Sequence, residues 1–134
     1  MRPFPLKIVT PDGIVFDGDA ESLTVRTTTG DVGILADHAN LVAPLGMGRC
    51  SITIDGKTRY GACIGGMISV VSGKVSLVPT TFEWADQIDE SRVEKSYQRA
   101  QAVLNSKDVS KTDITLAEAR LKRALVRKSV ASNK

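Results

Sequence analysis

The spacing of hydrophobic and polar residues changes near position 80 of the chain. Before this point, apolar residues alternate with polar ones in short runs. Within residues 21–27, for example, Leu23 and Val25 share one face and polar side chains share the other. An alternation with period two predicts half-buried β-strands. Beyond position 80, apolar residues recur at spacings of three and four, which is typical of amphipathic α-helices, so one short chain is predicted to contain two architectures.

Turn-forming residues divide the first part into short strands. All eleven glycines and all five prolines lie before residue 80. Asp55-Gly56 and Ser72-Gly73 each separate two apolar runs and predict β-hairpins. The predicted strands cover residues 6–10, 14–16, 21–27, 30–35, 49–54, 57–64, 67–71, 74–78 and 80–84, with a polar loop at 36–40. This pattern favours an antiparallel β-sandwich or a flattened barrel.

Two helices are predicted after residue 80, where no glycine or proline interrupts the chain. The first covers residues 88–104, and the second begins at a cap formed by Thr112 or Asp113 and ends near Ala131. The residues expected to be buried are Val93, Tyr97, Ala100 and Leu104 in the first helix and Ile114, Ala117, Leu121, Ala124 and Leu125 in the second. A polar break at residues 105–110 predicts an antiparallel hairpin. Because both apolar stripes are thin and rich in alanine, the hairpin is expected to bury little area and to be movable.

Composition narrows the class of protein without identifying a site. Of the 134 residues, 42% are apolar and 25% are charged, which is a normal globular balance. No apolar run approaches the ~20 residues that span a bilayer, so direct membrane insertion is not expected. Cys50 and Cys63 lack metal-binding spacing, and they would be diagonal neighbours across the first hairpin, a poor geometry for a disulfide. They are expected to be buried free thiols.

Positive charge is concentrated in the predicted helical hairpin. The net charge is +3, and the segment from residue 120 onward contains six basic side chains and no acidic one. This segment could contact a phosphate, an acidic protein surface or a nucleic acid, or it could be a solvated helix face; charge alone favours the last. Arg92 and Arg99 share one helix face, and Arg123 and Arg127 share another. Folding of the hairpin could bring guanidinium groups together around an anion or leave them in water.

The residues give little support to catalysis. His38 is the single histidine, it lies in a predicted surface loop, and no serine or cysteine partner can be identified from local spacing. A phosphate-binding loop of the GxxxxGK[ST] type is absent, and the glycines of residues 30–33 are better explained by strand turns than by cofactor binding. We therefore expect no catalytic residue and no metal site.

Five stretches of the sequence resemble the epsilon subunit of bacterial F-type ATP synthases. They follow the order of that family and span almost the whole chain: VTPDG at 9–13, GDVGILADH at 30–38, GG at 65–66, IDESR at 88–92 and LKRAL at 121–125. The resemblance implies an all-β plus α fold. A ten-stranded N-terminal antiparallel β-sandwich, residues 1–84, would precede a C-terminal antiparallel two-helix hairpin, residues 85–134.

The resemblance also implies a non-catalytic rotor component of the central stalk. The sandwich would join the gamma subunit to the membrane ring of proton-carrying subunits, with Asp31 toward the ring and His38 toward gamma. The hairpin would extend along gamma toward the catalytic beta and alpha subunits and inhibit ATP hydrolysis, or fold against the sandwich and permit it. Such a bacterial protein would be peripheral to the cell membrane on its cytoplasmic side.

Some bacterial members of this family bind one ATP in the folded state through an I/L-D-x-x-R-A motif. Ile88, Asp89 and Arg92 match this motif, and Val93 stands in the place of its alanine. The resemblance implies that the ATP-binding residues are Glu83, Ile88, Asp89, Arg92, Arg99, Arg123 and Arg127. ATP would be a regulatory ligand, and no cofactor would be required.

Two other functions are compatible with the residues. A free-standing ATP-sensing domain would bind the nucleotide without a motor partner. A nucleic-acid-binding module would use the basic tail and would need aromatic side chains for base stacking. Aromatic residues make up only 4% of the chain, and the first helix has mixed charge, so no nucleic-acid partner is expected.

Overall fold

The fold consists of ten β-strands followed by two α-helices. The computed structural model describes residues 2–132; residue 1 and residues 133–134, which include the basic Lys134, lie outside it. The strands are β1 (Phe4–Thr10), β2 (Gly13–Ala20), β3 (Ser22–Thr27), β4 (Gly30–Ile34), β5 (Leu41–Pro44), β6 (Met47–Ile54), β7 (Lys57–Ile64), β8 (Met67–Val71), β9 (Lys74–Val78) and β10 (Thr81–Trp84). A 3-10 turn, Ala85–Gln87, leads into α1 (Glu90–Leu104) and α2 (Lys111–Ala131). The predicted fold class, a β-sandwich followed by a helical hairpin, is confirmed.

The strands form two five-stranded sheets that face each other. The first has the order β2-β1-β9-β8-β5, and the second has the order β10-β7-β6-β3-β4. Neighbouring strands are antiparallel except β1 and β9, which are parallel. Side chains such as Ile8, Leu23, Ile52 and Leu77 fill the space between the sheets and are fully buried. This core draws all its buried members from residues 4–84, so the sandwich has a hydrophobic core of its own.

The two predicted β-hairpins are confirmed. Asp55-Gly56 joins β6 to β7, and Ser72-Gly73 joins β8 to β9. All four residues have positive φ, between 50° and 79°. Two successive residues with positive φ are the mark of a type I′ turn, whose twist matches that of the strands it joins. Glycine at the second position adopts this conformation without steric cost.

The sequence pattern misjudges two strands of the first sheet. It misses β5, which is four residues long and ends in proline. This strand lies at the edge of the sheet, where a residue without an N–H donor can be tolerated. The pattern also ends β2 at residue 16, whereas the strand continues through Asp17 and Gly18. Gly18 does not have the positive φ of a turn; it makes room for the ring of Phe16, whose Cζ would lie 3.3 Å from a Cβ at this position.

Both helices begin at side-chain caps. The carboxylate of Asp89 caps α1 by accepting a hydrogen bond from the backbone N–H of Arg92 at 3.1 Å. Ser110 caps α2, because its Oγ accepts a hydrogen bond from the N–H of Asp113 at 3.1 Å. The prediction that Thr112 or Asp113 caps α2 is therefore wrong. The sequence pattern assigns Ser110 to the polar break, although its spacing from Asp113 is that of a capping residue.

The second helix lies between α1 and the outer face of the second sheet, where it contacts β6 and β7. In α1, Val93 and Ala100 are buried as predicted. In α2, Leu125 is 48% exposed, so its predicted burial is wrong. Ala117 and Ala124 are buried as predicted, and with Ala131 they form one stripe along α2, with Val130 buried beside it. A separate apolar cluster joins the hairpin to the sheet, formed by Ala62, Ala85, Ile88, Val93, Ala124, Val130 and Ala131. Most of these residues are alanines, so the hairpin contact is small beside the sandwich core.

Cys50 and Cys63 are buried free thiols, as predicted. Cys50 pairs with Gly61 and Cys63 pairs with Gly48, so the two thiols are diagonal neighbours on adjacent strands. Burial raises the pKa of Cys63 to about 12. Burial is also the main reason that the pKa of Cys50 is raised, with a smaller contribution from the nearby Cys63. Both groups therefore stay protonated at neutral pH, and the reactive thiolate is scarce.

We expect Gly66→Ala to destabilise the sandwich strongly. Gly66 has a φ of +95°, and a Cβ there would clash with the carbonyl oxygen of Val78 and lie 2.6 Å from the Cα of Pro79. Because backbone atoms cannot easily move aside, the free energy of unfolding should fall by about 3 kcal/mol or more.

Urea denaturation tests this expectation, with Gly33→Ala as the matched control. No atom lies within 4 Å of a Cβ at Gly33, and its φ is not positive. The control should change the free energy of unfolding by less than about 1 kcal/mol. A Gly66→Ala protein as stable as the control would contradict the clash.

The two thiols should react with a disulfide reagent only after unfolding, because burial suppresses the thiolate. Fast labelling of the folded protein at neutral pH would contradict the burial of the thiols.

The raised folded-state pKa of the thiols also contributes stability that is present below the unfolded pKa of 9.0 and is lost as pH rises toward 12. The denaturation midpoint should therefore decline over that range. A variant with both cysteines replaced by alanine is the control and should decline less.

Candidate functional site

A cavity of about 440 Å³ lies where the sandwich meets the helical hairpin. Its wall is formed by the turn between β1 and β2, by β10 with the following 3-10 turn, and by both helices. The charged residues of the wall are Asp12, Glu83, Asp89, Arg92 and Arg127. Because both helices supply part of the wall, the cavity exists only while the hairpin is folded against the sandwich.

An ion pair joins β10 to α2 at this cavity. The Nε of Arg127 donates a hydrogen bond to Oε1 of Glu83 at 2.7 Å. The two side chains are 26% and 38% exposed, so water screens the pair only in part. The bond connects residues 44 positions apart in the sequence. It therefore holds the last turns of α2 against the sandwich.

Asp89 and Arg92 lie at the start of α1, on the same cavity. The Asp89 carboxylate is engaged as the helix cap. The Arg92 side chain is exposed, and its guanidinium forms no ion pair or side-chain hydrogen bond with any residue between 2 and 132. It is therefore available to an anion. With Arg127, it places two guanidinium groups on one cavity wall.

The other predicted ATP-binding residues do not line this cavity. Ile88 is 3% exposed, packs in the apolar cluster of the hairpin and borders a second cavity of about 370 Å³ between the helices. Arg99 is exposed on α1, and Arg123 is half-buried on α2. The structure thus brings together Glu83, Asp89, Arg92 and Arg127 out of the seven predicted residues.

The cavity wall also includes Thr10, Asp12 and Phe82, which the sequence pattern does not predict as site residues. Residues 10 and 12 belong to the VTPDG stretch, which local spacing identifies only as a turn. The ring of Phe82 lies over Gly61 of β7. A side chain at position 61 would clash with this ring, so only glycine leaves room for it. The Phe82 ring also meets the Trp84 ring edge-on, with centroids 4.9 Å apart. No local signal relates these positions, since they meet only across strands.

A second ion pair joins the helices to each other. The Nζ of Lys128 lies 2.8 Å from Oε2 of Glu94 and 4.3 Å from the centre of the Tyr97 ring. The hydrogen bond from Lys128 lowers the pKa of Glu94, and the hydrogen bond to Glu94 raises the pKa of Lys128. Both groups are exposed to solvent, so the pair orients the two helices more than it stabilises them.

Asp31 and His38, the predicted contacts with the ring and gamma, do not line the 440 Å³ cavity. Asp31 lies on β4, and its Oδ1 accepts a hydrogen bond from Nε of Arg26 at 2.7 Å. This pair borders a groove of about 470 Å³ between the second sheet and α2. His38 follows β4; its backbone N–H donates to the carbonyl of Leu35, and its Nδ1 lies 2.7 Å from the carbonyl oxygen of Ala39.

The charged groups of the cavity wall match the chemistry of a ligand that carries both anionic groups and hydrogen-bond donors. Guanidinium groups match the geometry of phosphate oxygens, and carboxylates accept hydrogen bonds from hydroxyl and amino groups. Across residues 2–132, no group of three or more His, Cys, Asp or Glu side chains is placed to bind a metal ion. In the same part of the chain, no helix combines the length and the hydrophobicity that crossing a membrane requires.

Two family models match consecutive parts of the chain. The ATP synthase, Delta/Epsilon chain, beta-sandwich domain matches residues 3–85. The ATP synthase, Delta/Epsilon chain, long alpha-helix domain matches residues 86–132. The junction between the two matches falls within the 3-10 turn that follows β10.

Relatives and a solved structure agree with these matches. The ATP synthase epsilon chain of Ruminococcus albus is 42% identical over 100% of both chains, and that of Bacillus velezensis is 40% identical over 99% of this chain and 100% of its own. The fold is similar to that of a chain in the mitochondrial ATP synthase of Euglena gracilis, with a TM-score of 0.84 at 22% identity over 95% of this chain and 80% of that chain. Because the family models and the relatives cover almost every residue, the chain belongs to the ATP synthase epsilon chain family.

Proposed function

We propose that this protein is a non-catalytic rotor subunit in the central stalk of an F-type ATP synthase. The observation that carries the proposal is the match of both family models to consecutive parts of the chain. The sandwich, which has its own core, would join the gamma subunit to the membrane ring. Asp31 would face the ring and His38 would face gamma. The protein would then lie at the cytoplasmic side of the membrane as a peripheral component.

The cavity between the sandwich and the hairpin would bind one ATP as a regulatory ligand. Arg92, whose guanidinium has no partner among residues 2–132, and Arg127 would contact the phosphates. Phosphate oxygens would share Arg127 with Glu83, which already holds it at 2.7 Å. Arg99 and Arg123 lie outside the cavity wall, so they would take part only if the helices shift on binding.

The hairpin would be the movable arm that inhibits ATP hydrolysis. Its contact with the sandwich is rich in alanine and is tied to β10 by a partly exposed ion pair. A ligand that binds only the folded arrangement shifts the equilibrium toward it. When released, the hairpin would extend along gamma toward the catalytic beta and alpha subunits. The basic residues of α2 would then face acidic protein surfaces.

Arg92→Ala should weaken ATP binding by at least about tenfold, because a charge-assisted hydrogen bond to phosphate is lost. The measurement is an ATP titration of the full chain followed by backbone amide NMR. Wild-type shifts should saturate and should cluster at residues 88–92 and 123–127. Arg120→Ala is the matched control, since Arg120 is an exposed arginine of α2 that does not line the cavity, and it should bind as the wild type does. An absence of shifts at millimolar ATP would rule out the regulatory site.

Truncation after Trp84 should raise ATP hydrolysis by the assembled complex and leave assembly intact. The sandwich keeps its whole hydrophobic core in the truncated chain, so it should still fold and bind its partners. The measurement is the hydrolysis rate of complexes reconstituted with the full-length and the truncated chain. Unchanged hydrolysis would argue against an inhibitory hairpin. A full-length chain that never co-purifies with the complex would favour a free-standing ATP-sensing domain.

A further inference from the structure

The cavity wall contains polar groups that belong to neither the hairpin nor β10. Thr10 and Asp12 lie at the turn between β1 and β2, and both line the same cavity as Arg92 and Arg127. β1 and β2 belong to the first sheet, whereas β10 is the edge strand of the second. A ligand in this cavity would therefore contact both sheets of the sandwich as well as the helices.

Among the three carboxylates of the cavity, only that of Asp12 is unengaged by the residues between 2 and 132. Glu83 accepts a hydrogen bond from Arg127, and Asp89 accepts one from the backbone N–H of Arg92. Within residues 2–132, the Asp12 carboxylate has no hydrogen-bond or ion-pair partner. Its backbone N–H donates to Oγ1 of Thr10 at 3.1 Å, and this bond supports the turn. Asp12 thus offers the cavity a carboxylate acceptor.

Electrostatics decides which part of a nucleotide this acceptor can contact. An ionised carboxylate has no proton to donate, so it repels phosphate and attracts hydroxyl or amino donors. The two guanidinium groups, which attract phosphate, come from the hairpin. Asp12 comes from a different part of the wall. A nucleotide satisfies both if its phosphates lie toward the helices and its sugar lies toward the turn. Carboxylates at other nucleotide sites hydrogen-bond ribose hydroxyls in this way.

We infer that Asp12 accepts hydrogen bonds from the ribose hydroxyls of the bound nucleotide. The sandwich then recognises the nucleoside while the arginines of the hairpin bind the phosphates. This division of roles explains how a nucleotide would hold the two parts of the chain together, because each part contacts a different end of it. The inference rests on the proposed ATP site and adds a residue that selects the sugar.

The test compares the affinities of ATP and 2′,3′-dideoxy-ATP for the full chain by calorimetry. The wild type should prefer ATP by about tenfold, which is the effect of a hydrogen bond to a charged group. Asp12→Ala should weaken ATP binding by about the same factor and leave dideoxy-ATP binding unchanged, so the preference should disappear. Asp12→Asn keeps a turn-forming residue and one acceptor oxygen, and its preference should be intermediate.

Asp17→Ala is the matched control, because Asp17 is an exposed carboxylate of β2 that does not line the cavity. It should retain the wild-type preference, and thermal unfolding should show that every variant is folded. An unchanged preference in Asp12→Ala, or tighter ATP binding by that variant, would overturn the inference.

The ATP site and the role of Asp12 can be disproved separately. If the wild type binds no ATP, or if Arg92→Ala binds it normally, the proposed site is wrong and the role of Asp12 falls with it. If Arg92→Ala loses ATP while Asp12→Ala keeps the sugar preference, only the role of Asp12 is wrong. Equal weakening of ATP and dideoxy-ATP by Asp12→Ala would also overturn it, since the lost contact would then be to the base.

Discussion

The contact between α2 and the outer face of the second sheet brings the two sides of the candidate site together. Small side chains on both surfaces, such as Ala62 and Ala124, let the helix approach the sheet closely. The hydrogen bond from Arg127 to Glu83 then holds the last turns of α2 beside β10. If this contact is broken, the cavity loses one wall and the two guanidinium groups no longer converge. The site is therefore a property of the contact and not of either part alone.

The core of the sandwich buries larger side chains than the contact between the sandwich and the hairpin does. The sandwich buries long aliphatic side chains such as Ile8, Leu23 and Leu77. The hairpin contact buries mostly alanines, and each buried methyl contributes much less than a buried leucine. Thermal motion or a competing partner should therefore separate the hairpin from the sandwich long before the sandwich unfolds. A regulatory ligand acts most effectively on such a weak contact, where a small binding energy changes the population of states.

The positions of the arginines show what local spacing can and cannot predict about the site. The i, i+4 relation of Arg123 and Arg127 puts them on neighbouring positions of α2. Only Arg127 lines the cavity, where it bonds to Glu83 of β10. Likewise, Arg92 lies on the cavity and Arg99, two turns further along α1, does not. Shared helix faces were predictable, but the extent of the cavity along each face was not.

The sequence by itself determined most elements of this protein, including the hairpins at Asp55-Gly56 and Ser72-Gly73 and the helical spacing of the last part. These features depend on φ preferences and periodicity, which act over a few residues. Tertiary structure alone decided that β1 pairs parallel with β9, that Phe82 lies over Gly61, and that Asp12 shares a cavity with Arg92. Such contacts join residues far apart in the chain, and they form because closing the sandwich and seating α2 minimise exposed apolar surface for the whole molecule.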